Sequence, residues 1–232
     1  MASIWRVRLS RMWLKLRYQL FSRRYNRLGL EMVAGVPFII LPQVFNPVLL
    51  RTGQFMVQHF PDIEILRGAH VLDLGTGSGI GAVFAARHGA TVVAVDINPH
   101  AARCAWLNVR LNRLEARVQV YQGDLFAAVM GQRFDVILFN PPFYEGQVKD
   151  NLDYAWRGEG VFERFAHNLA DLLAPNGQVW LMLSSDGQGD LLLELLTKAG
   201  FVITVIKRQD MWNEVLTLYQ IRSQTALGCS KI

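Results

Sequence analysis

Histidine and cysteine are sparse in this chain of 232 residues, and those present are scattered. Cys104 and Cys229 lie far apart in no metal-ligand or redox spacing, which argues against a disulfide scaffold. His59, His70, His88, His100 and His167 are each isolated, so no pair stands at ligand spacing and no metal site is indicated. A long unbroken apolar run is also missing. Between Glu31 and Arg51 there is no charge, but Pro37, Pro42 and Pro47 interrupt the stretch and Gln43 and Asn46 sit inside it. A spanning helix needs ~20 predominantly apolar residues with every backbone group satisfied. Three prolines argue against one, and an extended segment covering the active face of a domain is expected instead.

Acidic residues are absent before Glu31. Residues 1–28 carry Arg6, Arg8, Arg11, Lys15, Arg17, Arg23, Arg24 and Arg27, which leaves 16 basic against 19 acidic residues in the remainder. The high isoelectric point therefore belongs to an N-terminal arm and not to the body of the protein. Trp5, Leu9, Met12, Trp13, Leu16 and Leu20 recur there near helical spacing, without the continuous apolar stretch and small-residue cleavage site of a secretory signal. Three roles fit such an arm: contact with an anionic membrane surface, contact with RNA or the ribosome, or a helix packed on the domain with its basic face in water. The apolar fraction of 51% is ample for one core.

What is present from residue 70 onward is alternation. Apolar or β-branched runs at His70–Leu74, Thr91–Asp96, Arg117–Gln122, Phe134–Asn140 and Gln178–Ser184 alternate with helical patterns at Ile80–Arg87, Asn98–Leu111, Val161–Leu173 and Gly189–Ala199. Asn98-Pro99 is a helix-start signal and Gly200 a helix-stop signal. This pattern predicts an α/β fold with a mostly parallel sheet and helices on both faces. The last two strands, Phe201–Lys207 and Val215–Arg222, are joined by a loop too short for a crossover and should be antiparallel. Ligands in such sheets bind beyond the carboxyl ends of the strands. Asp73, Asp96, Asp124 and Asn140 each end a predicted strand on that rim.

The first of those strands runs into Asp73-Leu74-Gly75-Thr76-Gly77-Ser78-Gly79. Glycines there let a ligand approach the backbone, because no Cβ intervenes. Gly77 to Ala82 also fits the G-x-G-x-x-A dinucleotide pattern, with Asp96 19 residues beyond Gly77, so a nicotinamide or flavin enzyme is a rival. Asp73 weighs against it. A carboxylate two positions before Gly75 would repel a pyrophosphate but can receive the ammonium group of S-adenosyl-L-methionine. Asp96 and the following Ile97 suit a ribose, and Asp124-Leu125 suits an adenine. No hydride-transfer site is evident downstream.

The fourth of those strand ends reads Asn140-Pro141-Pro142-Phe143. The lone pair of an amide or exocyclic amine is delocalised, and accepting hydrogen bonds from both N–H groups concentrates electron density on nitrogen. The Asn140 side-chain carbonyl and the Pro141 backbone carbonyl can be those acceptors. The two prolines stiffen the loop, and Phe143 can stack on the planar group.

A cofactor loop followed by Asn-Pro-Pro-(Phe/Tyr) resembles the class I S-adenosylmethionine-dependent methyltransferases of the HemK-like group, glutamine methyltransferases that modify translation release factors. The motif is shared with enzymes that methylate nucleobase amines. Tyr154-Ala155-Trp156-Arg157-Gly158 and Val44-Phe45-Asn46-Pro47 followed by Arg51-Thr52 extend the resemblance over residues 44–222. It implies a Rossmann-like, mostly parallel seven-stranded sheet with an antiparallel last strand, and a cofactor contact from Thr52. Asn140, Pro141, Pro142 and Phe143 become the catalytic clamp; Thr52, Asp73, Gly75, Gly77, Gly79, Asp96, Ile97, Asp124, Leu125 and Asn140 become the cofactor site. Two departures stand out: Phe143 replaces the usual Tyr, and Asn46 replaces an acid. Residues 1–43 are also too short and too basic to match the helical domain of the bacterial release-factor enzymes.

The chain is thus expected to comprise a basic arm (1–30), a cover segment (31–66), a methyltransferase domain (67–222) and a tail (223–232). Its expected partner is a protein such as a translation factor, or a nucleic acid, met in the cytoplasm or at a membrane surface. A small-molecule acceptor, or a binding module without catalysis, is the remaining alternative.

Overall fold

A computed structural model of the chain describes residues 27–47, 52–60, 63, 65–149, 151–211 and 214–224. Apart from residues 27–30, the basic arm lies outside the described residues, as does the tail beyond Gln224.

Seven strands form one sheet: β3 (His70–Leu74), β4 (Thr91–Asp96), β5 (Val118–Gln122), β6 (Phe134–Phe139), β9 (Leu173–Ser184), β10 (Phe201–Asp210) and β11 (Val215–Ser223). Their order is β10-β11-β9-β6-β3-β4-β5. The pairings from β5 to β9 are parallel, whereas β11 lies between β9 and β10 and is antiparallel to both. The expected topology is present, with the last strand inserted in reverse.

Alternation along each strand separates two cores. Val71, Val92, Ala94, Val136, Leu138 and Trp180 point to one face; Leu72, Val93, Val95, Ile137, Phe139 and Val179 point to the other. The first face is covered by α2 (Ile80–Arg87), by α3 (Pro99–Leu111), which packs against β4 and β5, and by N-terminal elements. The second is covered by α4 (Val161–Leu172) and α5 (Gly189–Lys198), whose Phe162, Phe165, Leu169, Leu192 and Leu196 are buried there. The Asn98-Pro99 signal works as anticipated: the Asn98 side chain accepts from the His100 amide at 2.9 Å, with Pro99 in the first turn.

The N-terminal segment is not simply extended. It begins with an antiparallel hairpin, β1 (Gly29–Val33) and β2 (Val36–Ile40), and after residue 40 leads to a short helix α1 (Thr52–Gln58). Val33, Val36, Phe38 and Ile40 are buried in the first core, where Phe38 stacks on Phe84 of α2 with ring centroids 6.3 Å apart. The apolar run expected to lie over the domain is therefore partly an integral layer of it.

Two further stretches depart from the sequence reading. Pro175-Asn176-Gly177 does not precede its strand but lies within β9, where the register against β6 shifts between Phe134 and Val136. The loop after residue 140 contains two short paired strands, β7 (Tyr144–Glu145) and β8 (Arg157–Gly158), with a 3-10 turn at Asp153–Ala155 between them.

Candidate active site

The parity that sorts the core also sorts the polar residues. Asp73 falls on the same face of the sheet as Val71, Asp96 on that of Ala94 and Asn140 on that of Leu138. All three strands end at one rim, so the three side chains converge there under the N-terminal elements. A cavity of about 690 Å³ opens at this rim. Asp73, Gly75, Gly77, Asp96, Ile97, Asp124, Leu125, Asn140, Pro141, Pro142 and Phe143 line it, and the structure thus gathers them into one site.

Asp73 is buried and acts first on its own chain. Its Oδ2 accepts from Thr76 Oγ1 at 2.5 Å and from the Ala82 amide at 2.8 Å, closing the loop between β3 and α2 around one carboxylate. The loop turns through positive φ at Gly75, Gly77 and Gly79. Gly79 does not line the cavity. A Cβ at that position would lie 2.9 Å from Ala105 Cα, so this glycine serves the close approach of α3. Burial pushes the Asp73 carboxyl from 3.8 up to about 6, against the two hydrogen bonds that lower it.

Asp96 is equally buried, and both of its oxygens are held by the backbone. Oδ2 accepts from Gly77 N at 2.8 Å and Oδ1 from Asn98 N at 2.9 Å. Each oxygen keeps a further lone pair for a ligand hydroxyl. Burial, and to a lesser degree the charge on Asp73, raise its pKa to about 6. Next to it, Asn98 Nδ2 donates to the Gln43 carbonyl at 2.9 Å and to the Asn151 carbonyl at 2.8 Å. One buried amide thereby joins the N-terminal segment to the loop after the clamp and roofs the cavity.

The Asp124-Leu125 end is different in character. Asp124 is exposed and paired with Arg164 of α4, Nη1 to Oδ2 2.6 Å. Leu125 adopts φ +47, which is uncommon for a residue with a side chain, and both residues line the cavity.

At the clamp, Asn140 Oδ1 is buried and has no hydrogen-bond partner among the described residues, whereas Nδ2 donates to Thr52 Oγ1 at 3.4 Å. An orphan buried carbonyl is costly unless something fills its place. The loop beyond is braced: Gln188 N donates to the Phe143 carbonyl at 2.8 Å, and Gly187 lies so close that a Cβ would stand 2.7 Å from that oxygen. Phe143, Trp156 and Phe45 form a row of rings with centroids 5.5 and 5.8 Å apart. Thr52 itself is buried and does not line the cavity.

Sequence reading missed several contributors. Gly81 allows the Asp73 carboxylate in, since a Cβ there would stand 2.5 Å from Oδ1. Its glycine-rich run was the available signal. Asn98 offered only a capping pattern, and Arg164 only its place in Val161-Phe162-Glu163-Arg164-Phe165, a stretch that shares in the family resemblance.

The residues fit the cofactor that the loop suggests: a glycine turn with two buried carboxylates and an exposed acid along one wall, and an orphan acceptor at the far end. Comparison with known proteins agrees. The model of the methyltransferase small domain family matches residues 36–212. A release factor glutamine methyltransferase of Geobacter sulfurreducens is 31% identical over 208 residues, 78% of this chain and 69% of that protein. A ribosomal protein uL3 glutamine methyltransferase of Bradyrhizobium diazoefficiens is 47% identical over 127 residues, 49% of this chain but only 38% of that protein. Among solved structures, the T. thermophilus 16S rRNA N2 methyltransferase RsmC, in complex with AdoMet and guanosine, superposes with a TM-score of 0.62 at 22% identity. That match covers 85% of this chain and 50% of the other.

Proposed function

Starting from the fact that this chain belongs to the methyltransferase small domain family, we propose that it methylates the side-chain amide of a protein glutamine. That it is an S-adenosyl-L-methionine-dependent methyltransferase of HemK-like kind follows from the family and from its relatives. The observation that carries the acceptor chemistry is the buried, unpartnered Oδ1 of Asn140.

The bound cofactor supplies an electrophilic methyl group on a sulfonium. Every other role falls to the chain. Asp73 holds the glycine turn and, at neutral pH, a negative charge for the cofactor ammonium. Asp96 offers its remaining lone pairs to the ribose hydroxyls, and Ile97 and Leu125 flank the base. Asn140 Oδ1 and the Pro141 carbonyl accept the two N–H groups of the incoming amide, raising electron density on nitrogen. With the cofactor bound, its methyl group would pass from sulfur to the amide nitrogen, the S–CH₃ bonding pair would stay on sulfur, and one amide proton would leave to solvent. Phe143 would stack on the flat amide, with Trp156 and Phe45 continuing the row of rings beside it.

Charge supports protein over nucleic acid as the substrate. Outside residues 1–28 acids outnumber bases. Among the described residues the cations lining the cavity are Arg157 and Arg164, and each already faces a carboxylate, Asp153 at 3.4 Å and Asp124 at 2.6 Å. A polyanion is bound chiefly by cations with phosphates as partners. The G. sulfurreducens relative points the same way, to a translation factor as the protein acted on. Methylation of a nucleobase amine is the second reading, favoured by the basic residues 1–28, which could hold RNA, a ribosome or an anionic membrane surface. We place the reaction in the cytoplasm, where translation components reside.

The test is transfer from tritiated S-adenosylmethionine to a cell extract, with protease or nuclease treatment of the labelled product. Label lost to protease and recovered as N5-methylglutamine is expected; label lost to nuclease alone would overturn the glutamine assignment.

A further inference from the structure

The hairpin of β1 and β2 has two unlike faces. Val33, Val36, Phe38 and Ile40 are buried in the first core, whereas Leu30 and Met32 of β1 are 78% and 62% exposed, with Leu28 just before them at 66%. Strand alternation puts Leu30 and Met32 on the outer face, together with Ile39, the partner of Leu30 across the hairpin, and Pro37, the partner of Met32. Single aliphatic side chains in water are ordinary. A contiguous group of them marks a surface that meets something.

α3 extends this face. Asn108 bonds both the N–H and the carbonyl of Ile39, and Asn112 Nδ2 donates to the Pro37 carbonyl at 3.1 Å, so the helix lies along the free edge of β2. At about 100° per residue, Val109 turns from Asn108 into the first core, while Leu107 and Leu111 turn to the opposite side, level with the outer face of the hairpin. Leu111 is exposed, as are Arg103 and Arg110, which flank these leucines on the helix surface. Among the described residues no carboxylate pairs with Arg103 or Arg110, and the Arg110 guanidinium lies over the Trp106 ring, 4.9 Å from its centroid. Glu31, the acid of β1, shares the inner parity of Val33 and accepts from Asn46 Nδ2 at 3.0 Å. The chain enters β1 from residues 1–28, which hold eight basic residues and no acid.

We propose that the outer side of the hairpin and the exposed side of α3 form a docking surface for an anionic lipid bilayer. Such a surface needs aliphatic groups to enter the acyl boundary and cations around them to meet lipid phosphates, and both are present. Arginine stems can lie along the apolar patch while their guanidinium groups stay at the headgroups. RNA would pair with the arginines but would leave Leu28, Leu30, Met32 and Leu111 in water, because phosphate and ribose offer no aliphatic partner. Covering by residues 1–28 would shield those side chains but would crowd eight more cations against Arg103 and Arg110. A bilayer satisfies both sets of groups. β2 leads to Gln43 and α3 carries Ala101, and both residues line the cavity, so an enzyme seated in this way works on acceptors brought to the membrane surface. The inference is independent of which acceptor is methylated.

The test uses the full chain and two double variants, L30T/M32T and R103Q/R110Q. Each is sedimented with vesicles of phosphatidylcholine alone and of equal parts phosphatidylcholine and phosphatidylglycerol, at low and high salt. None of the four side chains lines the cavity, so affinity for S-adenosylhomocysteine should stay unchanged and shows that both variants are folded. The wild type should bind the mixed vesicles and not the neutral ones. L30T/M32T should weaken that binding about tenfold through lost burial. R103Q/R110Q should weaken it about tenfold as well, with a shallower dependence on salt. Filter binding to a single-stranded RNA and thermal melts accompany these measurements. A wild type that ignores anionic vesicles would overturn the assignment. So would full vesicle binding in either variant, which would leave the contact to residues 1–28. Loss of RNA retention with unaltered vesicle binding would make the face a nucleic-acid surface instead. A lower melting temperature in L30T/M32T with unaltered vesicle binding would mean that residues 1–28 cover the hairpin, and would equally sink the bilayer.

Discussion

Asn108, in the last turn of α3, pairs with the backbone of Ile39 on both sides of its amide: Nδ2 donates to the Ile39 carbonyl and Oδ1 accepts from the Ile39 N–H, each at 2.7 Å. The side chain thus stands in for a neighbouring strand at β2. The same Nδ2 also donates to the Ser78 carbonyl at 2.8 Å. One fully buried amide therefore connects the hairpin, the helix and the glycine turn at the cavity. Buried polar networks of this kind rigidify a structure when every member is satisfied and weaken it sharply when one is removed.

Replacing Asn108 with Leu should accordingly cost about 2–4 kcal/mol of stability, since it strands buried backbone groups on two segments. Urea denaturation measures the loss. Affinity for S-adenosylhomocysteine should fall as well, through Ser78; a variant as stable as the wild type would show that the hairpin is held by its apolar contacts alone.

Gly81→Ala should harm the site without touching a ligand. The new methyl group would meet the Asp73 carboxylate, which Thr76 and Ala82 hold in place. Overpacking of this sort costs about 1–3 kcal/mol. Thermal melts should show that loss together with weaker cofactor binding, whereas an unshifted melting temperature would mean that the carboxylate moves freely.

Asn140→Ala should lower turnover by about 10²–10³, the usual effect of losing one preorganised polar group, with little change in S-adenosylhomocysteine affinity. Phe143→Ala should chiefly raise KM for the acceptor. Steady-state kinetics with the labelled extract acceptor, beside calorimetry, separates the two. An Asn140→Ala enzyme of full activity would remove the clamp from the chemistry.

Stability should depend on pH through Asp73 and Asp96. Burial raises both to about 6 in the folded protein, above the 3.8 of a free carboxyl. Between those values the folded chain binds protons that the unfolded chain has released. This contribution is therefore fully present below about pH 4 and is lost as pH rises through about 6. Cofactor-free protein should melt at a higher temperature near pH 5 than the same two groups permit at pH 7.5, and Asp96→Asn should flatten that difference. Affinity for S-adenosylhomocysteine should run the opposite way, falling as pH drops below about 6, because ammonium and hydroxyl donors favour ionised carboxylates. Melting curves and titrations across pH 5–8 test both; a cofactor affinity that rises on acidification would contradict the assignment of the two acids.

The parallel sheet and much of the cavity wall were legible in the sequence because each depends on a few neighbouring residues. A short apolar run carrying Asp73 and ending in alternate glycines can scarcely be anything but a strand running into a ligand-cradling turn. Strand parity then places Asp73, Asp96 and Asn140 on one face without reference to any other segment. Tertiary structure decided what those side chains meet. The partnership of Thr52 with Asn140 spans 88 residues, that of Asn108 with Ile39 spans 69, and that of Arg164 with Asp124 spans 40. The uncharged stretch after Glu31 read as an extended cover, and its first part belongs to a hairpin, Gly29–Val33 with Val36–Ile40, built into the core. A lone sequence carries the periodicity that chooses helix or strand, since that is a property of adjacent residues facing one interior. It carries no mark of which distant donor will reach a buried acceptor, because that distance is set only when both cores have packed.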